Sequence, residues 1–407
     1  MTIANATASS ASDMSPLVET AIEILADLVS FDTVSSKSNV DAIAFIEAYF
    51  KRLGATTVRI PAKGQEKENL WVTIGPGRQG GLVLSGHIDV VPVDGQEWTR
   101  PPFKLTREGE RLYGRGTTDM KGFLACVMAV CGHIHAAQLS VPVHVAVTFD
   151  EEVGHIGAFE LAAFLKGQGI EPAAFIVGEP TRHLVVDRHK GSVGFTTEIV
   201  GREAHSSQVH LGINAIDIAA EVVSLLNELH IVQRDVLADD AYPYPYPSIN
   251  VGTIRGGHVR NIVAPGCTLE WEMRPILPKQ LSAMRREFDE RVAKIISRRS
   301  KKGMDAPEIR TRCLWDAPPL LSDPASQATS IALQATGHNQ TSGVSYGTEA
   351  GVYQQAGFPT VVCGPGDIAQ AHTADEWISV KELETCLLFL ERLIAKAGNP
   401  LFDVNGG

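Results

Sequence analysis

Four segments of this 407-residue chain place acids and histidines directly after apolar runs. LVLS leads into GHIDVVP, with His87 and Asp89. VAVTF leads into DEEVG, with Glu151 and Glu152. AFIV leads into GEPT, with Glu179, and TVVCGPG leads into QAHTADE, with His372. Between the first two lies YGRGTTDMKG, where Asp119 sits just ahead of a helical pattern. Each has an ordinary reading when taken alone: a solvated turn, a satisfied strand-end histidine, or an acidic helix cap. Together they read differently. In open α/β sheets, ligands bind outside the carboxyl ends of the strands, so these ends converge on one crevice. Carboxylates gathered there need cations to neutralise them, or raised pKa values. Two histidines among carboxylates suit zinc, with cobalt or manganese as alternatives. In His87-x-Asp89, residues two apart on an extended segment can face the same side.

The elements that must position these groups follow from periodicity. Short apolar runs predict strands over Leu70–Ile74, Leu82–Leu84, Val143–Phe149, Phe175–Val177 and Thr360–Cys363. Helical spacing predicts helices over Leu17–Val29, Val40–Arg52, Lys121–Ala137, Ala158–Gly167 and Val380–Ala395. That alternation is the pattern of an α/β layer with a largely parallel sheet. From Lys190 to Asp316 the order changes to strand (Gly194–Val200), helix (Asn214–Leu229), strand (Ser248–Ile254), strand (Thr268–Met273), helix (Lys279–Ile296) and strand (Ile309–Leu314). This βαββαβ order predicts an inserted α+β domain of the ferredoxin-like kind. The expected division is 1–189 with 317–407 for the first domain and 190–316 for the insertion. YPYPYP, Tyr242–Pro247, reads as an extended loop.

Bulk composition narrows the partners. Hydrophobic residues make up 44% and charged residues 20%, an ordinary globular balance. Lys and Arg number 36 against 47 Asp and Glu, a net charge of −11. An acidic chain without basic runs is a poor partner for nucleic acid or anionic membranes. No apolar stretch reaches transmembrane length. MTIANATASSASDMSP lacks the basic start and apolar centre of a secretory signal and reads as a floppy tail. The six cysteines, Cys126, Cys131, Cys267, Cys313, Cys363 and Cys386, form no CxxC pair. They are expected to be free thiols of a reducing cytoplasm rather than zinc ligands.

GHIDVVP, YGRGTTDMKG, DEEVG, VGEPT, GREAHSS and the late AH, in this order, resemble the M20 family of di-zinc amidohydrolases. The likeness runs from about Leu17 to Val380. GTEAG and GPGDIAQAH are most similar to its acetylornithine deacetylase branch. The resemblance implies a zinc-peptidase-like catalytic domain with an inserted lid and dimerisation domain, holding two divalent ions. His87 and Glu179 would hold one ion, Glu152 and His372 the other, and Asp119 would bridge both. Asp89 would stand behind His87 and fix its tautomer. Glu151 would be the general base, separated from Glu152 because neighbours on an extended segment face opposite ways. Asp150 has no role there and is expected on the surface or at a cap. A cis peptide between Asp119 and Met120 is also implied.

The insertion contributes candidates as well. His205, in GREAHSS, matches a histidine that reaches a neighbouring subunit's site in a homodimer and donates to the oxyanion; otherwise it is a polar surface residue. Arg274, in WEMRP, suits a bidentate grip on a substrate carboxylate, or else an internal salt bridge. Asn261 could bond the same carboxylate. Gly347 and Thr348 resemble residues lining the acyl side. Glu349 either faces a substrate ammonium or orders its loop. His133, His135, His210, His230 and His338 lack a motif, and His189 reads as structural. The expected reaction is metal-dependent hydrolysis of a small N-acyl amino acid, N-acetylornithine first, by a cytoplasmic homodimer. A desuccinylase, an aminoacylase, a dipeptidase of the same family, and an inactive binding protein on the same fold are the alternatives.

Overall fold

Strands that read as uninterrupted apolar runs are the ones buried on both faces. Leu82–His87, Val143–Thr148, Ala174–Val177 and Thr360–Val362 are buried throughout in the computed structural model, which describes residues 14–134, 139–236, 239–300 and 305–397. They form the parallel centre of a sheet, in the order Val143–Thr148, Leu82–His87, Ala174–Val177, Thr360–Val362. Double-sided burial is what such runs require. The margins are antiparallel. Glu68–Ile74 pairs with Val143–Thr148 on one side and with Thr56–Pro61 on the other, making the whole sheet mixed. Val186–His189 and Ser342–Val344 complete its eight strands.

The helices Met14–Ser30, Val40–Arg52, Lys121–Cys131 and Val380–Ala397 supply the apolar cover. Met14–Ser30 begins within the segment read as a tail. Residues 1–13 and His135 lie outside the described residues. Every residue of Lys121–Cys131 is buried, including Lys121, whose Nζ donates to the Phe31 carbonyl at 2.9 Å. A small antiparallel sheet of Thr106–Glu108, Arg111–Tyr113 and Trp377–Ser379 is absent from the sequence reading.

The chain divides into two compact units. One runs to Asp187 and takes up again over Ser322–Ser342 and from Val352; the other comprises Arg188–Leu321 and Gly343–Gly351. The sequence reading assigns 343–351 to the first. The second unit contains an antiparallel sheet in the order Ser248–Gly256, Gly266–Arg274, Ser192–Val200, Glu308–Ala317, with helices Ala215–Val236 and Pro278–Arg299. That order is ferredoxin-like. Along Gly266–Arg274 burial alternates, with Cys267, Leu269, Trp271 and Met273 facing the core. Trp271 stacks on Phe195 at 4.2 Å and meets Phe288 at 5.2 Å. Tyr242–Pro247 lies in loop. All six cysteines are free; five are buried and Cys313 is exposed.

Candidate metal centre

His87, Glu151, Glu152 and Glu179 lie at or just beyond the ends of buried strands, Asp119 in the turn ahead of the buried helix Lys121–Cys131, and His372 just after the short helix Ile368–Gln370. His87 ends its strand, is fully buried, and sets Nδ1 2.9 Å from the Asp89 carbonyl. That leaves Nε2 toward the cluster, 3.0 Å from Asp119 Oδ1 and 3.7 Å from Glu179 Oε1. The other oxygen of Asp119, Oδ2, lies 3.2 Å from His372 Nε2, which is also 3.1 Å from Glu152 Oε1. One carboxylate therefore faces both histidines, an oxygen to each. Glu179 follows Gly178, where a Cβ would come within 2.1 Å of the Phe123 ring, so only glycine lets the strand end this close to the helix. Asp119 is not a cap: the helix N-cap is Met120, and the peptide between them is cis.

DEEVG is a turn rather than an extended segment, which corrects the geometric argument used to separate its glutamates. Asp150 adopts a positive φ of 55°, ending the strand, and the Glu151 carbonyl then accepts from the Gly154 and His155 amides. The Asp89 carboxylate holds the turn from below. Its Oδ1 accepts from the Glu151 amide at 3.1 Å and its Oδ2 from the Glu152 amide at 3.3 Å and the Ser35 hydroxyl at 2.7 Å. The side chains part company: a Glu151 oxygen groups with His87 and Glu179, and a Glu152 oxygen with His87 and Asp119. Asp150 is neither surface nor cap. It is buried and ion-paired to Lys67 Nζ at 2.5 Å, because a buried carboxylate needs a partner. The His155 Nε2 lies 3.4 Å from Glu151 Oε1, a neighbour no sequence pattern indicates.

The electrostatics mark a pocket short of positive charge. Burial, then the charge of Asp119, pushes Glu152 up to about 7 despite its bond to His372. Burial, with Asp119 and Glu151, raises Glu179 well above the carboxylate range. Hydrogen bonds to Asp119 and Glu152 raise His372 to about 10. Burial opposes charging of His87, but Asp119 and Asp89 raise it well above its ordinary value. Burial likewise opposes ionisation of Asp119, which the two histidines nonetheless hold far down. Glu179 Oε1 is buried without a hydrogen-bond partner. Imidazole nitrogens and carboxylate oxygens within 4.8 Å of one another fit one or more divalent cations of the zinc type.

The second unit's candidates have other surroundings. His205 is exposed and caps the short helix Ser206–Leu211; its Nδ1 accepts from the Ser207 amide at 3.2 Å, so a neutral ring carries its proton on Nε2. Asn261 is exposed, and its carbonyl accepts from the Ser206 amide at 3.0 Å. Arg274 forms a two-point pair with Glu272, at 3.2 and 3.1 Å. Thr348 is buried and its hydroxyl accepts from the Ala350 amide at 3.1 Å. A Cβ on Gly347 would meet the Lys190 carbonyl at 3.2 Å, and Glu349 is fully buried.

Residues 83–396 match the peptidase family M20/M25/M40. An acetylornithine deacetylase of Pasteurella multocida (strain Pm70) is 33% identical over 382 residues, covering 92% of this chain and 97% of the relative. One from Buchnera aphidicola subsp. Acyrthosiphon pisum (strain Tuc7) is 30% identical over 381 residues, with coverage of 92% and 97%. Among solved structures, a tripeptidase of Staphylococcus aureus subsp. aureus mu50 superposes with a TM-score of 0.75 at 20% identity, covering 94% of this chain and 98% of its own. A Bacillus subtilis protein described as a dinuclear metal-binding peptidase of the M20 family gives 0.64 at 16% identity, with coverage of 93% and 98%. On the extent of the sequence match, the chain belongs to the peptidase family M20/M25/M40, hydrolases of amide bonds.

Proposed function

We propose that the protein is a di-metal deacylase of small N-acyl amino acids, with N-acetylornithine as its substrate and ornithine and acetate as products. The observation that carries the metal reading is the Asp119 carboxylate, one oxygen 3.0 Å from His87 and the other 3.2 Å from His372. In this reading Asp119 would be shared by two ions, with His87 and Glu179 holding one and Glu152 and His372 the other. Zinc suits this set, with cobalt and manganese as alternatives. Divalent ions held here would polarise the amide carbonyl and lower the pKa of water from about 15.7 toward about 7.

The chain's own groups do the rest. Asp89 keeps His87 oriented and anchors the amides of both glutamates. Glu151 takes a proton from the attacking water as the oxygen bonds to the carbonyl carbon. As the C–N bond breaks, Glu151 returns that proton to the leaving nitrogen, giving a carboxylic acid and a free amine. The Nε2 proton of His205 stabilises the oxyanion. Arg274 and Asn261 grip the substrate carboxylate, and Gly347 and Thr348 line the acyl side. The second unit would mediate a homodimer in which His205 serves the partner's centre. A cytoplasmic location accords with the free thiols. Among the described residues no helix is long and apolar enough to cross a membrane.

Support for N-acetylornithine rests on the acetylornithine deacetylases that match over most of the chain. The test is kcat/KM for N-acetylornithine, N-succinyl-diaminopimelate, N-acetylmethionine, N-acetylcitrulline and a dipeptide on the zinc-loaded protein. The highest value is expected for N-acetylornithine. Preference for another member would reassign the substrate while keeping the hydrolase. No turnover of any by the metal-loaded chain would favour a binding protein.

A further inference from the structure

The loops carrying Asp119 and His372 are tied together by one buried guanidinium. Arg115 is 1% exposed. Its NH1 pairs with Glu376 Oε2 at 2.7 Å and reaches the Thr373 carbonyl at 3.3 Å; its NH2 donates to Gln96 Oε1 and reaches the Pro92 carbonyl at 3.4 Å. Glu376, also 1% exposed, uses its second oxygen differently. Oε1 accepts from the Thr118 amide at 2.9 Å and from the Asp119 amide at 3.1 Å. Gln96 closes the circuit, because its Nε2 donates to the His372 carbonyl at 2.8 Å. Trp98 fixes the circuit in turn: its ring lies 5.0 Å from the guanidinium carbon and its Nε1 donates to Gln96 Oε1 at 3.1 Å. The small sheet makes this possible by pairing Arg111–Tyr113 with Trp377–Ser379, so the segments on either side run together.

We propose that Arg115 and Glu376 are positioning residues of the metal centre, with Gln96 carrying their restraint to His372. A buried Arg–Glu pair is by itself weak evidence for stability. Here both carboxylate oxygens and NH1 bind the segments that present Asp119 and His372, whose side chains face each other at 3.2 Å, while NH2 binds the segment of Pro92 and Gln96. A planar fork holds acceptors on two segments in one fixed geometry, which the single rotatable point charge of a lysine does not reproduce. The restraint acts through the backbone of Asp119 and His372. It also braces the backbone of the exposed His372, which adopts a positive φ of 60°.

This inference rests on the metal reading above, and the experiment separates the two. Full-length wild type, Gln96→Glu and Arg115→Lys would each be stripped of metal. Each would be titrated with zinc against a chelating dye, and the cobalt-loaded forms compared by visible absorption. Gln96→Glu keeps the acceptor for Arg115 and Trp98, replaces the donor to His372 with a carboxylate oxygen, and adds one negative charge. It should weaken one of two ions about tenfold, alter the cobalt spectrum, and leave the metal-free melting temperature unchanged. Arg115→Lys should weaken ion binding by up to about a hundredfold, the range for groups that orient metal ligands. If Arg115→Lys does not fold, Gln96→Glu decides alone. Wild-type affinities and spectrum in Gln96→Glu would overturn the inference, as would an affinity loss matched by a lowered metal-free melting temperature. A wild type that binds no divalent ion would overturn the metal reading with it.

Discussion

The two units hold most of their chemistry-bearing residues in opposite ways, the exposed His372 of the first and the buried Thr348 and Glu349 of the second being the exceptions. In the first, His87, Asp89, Asp119, Glu151 and Glu179 are buried, with hydrogen bonds to the first four, and His372 is exposed. In the second, His205 and Asn261 are exposed, and Arg274 is occupied by Glu272. A buried carboxylate cluster is costly unless cations answer it, so the first arrangement already implies a ligand. Exposed or locally paired groups imply nothing until something else engages them. The first unit is therefore organised for metal chemistry in advance. The second offers contacts that substrate or a partner chain would have to recruit, with Arg274 first leaving Glu272.

Substitutions test this contrast. Glu151→Ala should lower kcat by about 10²–10⁴-fold with metal content intact, whereas Glu152→Ala should lose metal. Identical behaviour of the two, by elemental analysis and initial rates, would erase the division within DEEVG. His205→Ala should cost about 10²–10³-fold in kcat without touching metal content. Mixing it with Glu151→Ala under conditions of subunit exchange should restore part of the activity. No recovery despite proven exchange would place His205 outside the partner's site. Arg274→Ala should raise KM about ten- to a hundredfold with a smaller change in kcat, the scale of a charged hydrogen-bonded contact. A reversed split would remove its binding role.

A further effect concerns pH. Burial holds His144 in the first unit and His189 in the second down to about 4, His189 with help from the Arg274 charge. Both folded values lie below the ordinary 6.5, so the unfolded chain binds more protons between 6.5 and 4. The stability they support is complete above that window and is lost as pH falls through it, by a few kcal/mol at most. Replacing either by leucine should flatten acid unfolding over that range. Ring titrations by NMR near 6.5 would contradict the burial account.

What could be read from the sequence follows from range. Strand ends and the acids after them are local, so His87, Asp119, Glu152, Glu179 and His372 stood out as a set, and the long apolar runs gave the parallel centre. The insertion's βαββαβ order was equally visible, since alternation such as that of Gly266–Arg274 is a short-range signal. Partners brought in from afar were not. Glu376 lies 261 residues from Arg115, and Asp150 lies 83 residues from Lys67; no spacing links either pair. Asp150 illustrates the difficulty, because next to two functional glutamates it looked like spare surface charge. The three-residue strands of the small sheet were too short to carry a period. The turn at DEEVG depends on a positive φ at an aspartate, which composition alone does not reveal.

The central claim is that the first unit's cluster binds two ions through a shared Asp119, and that hydrolysis depends on them. Its most direct measurement is a titration of chelator-stripped protein with zinc, following bound metal per chain and N-acetylornithine hydrolysis in the same samples. Binding should saturate at two ions per chain, with activity absent at the start and restored along the titration, and Asp119→Ala should abolish both. Full activity in the stripped protein, or saturation without any bound ion lost in Asp119→Ala, would contradict it.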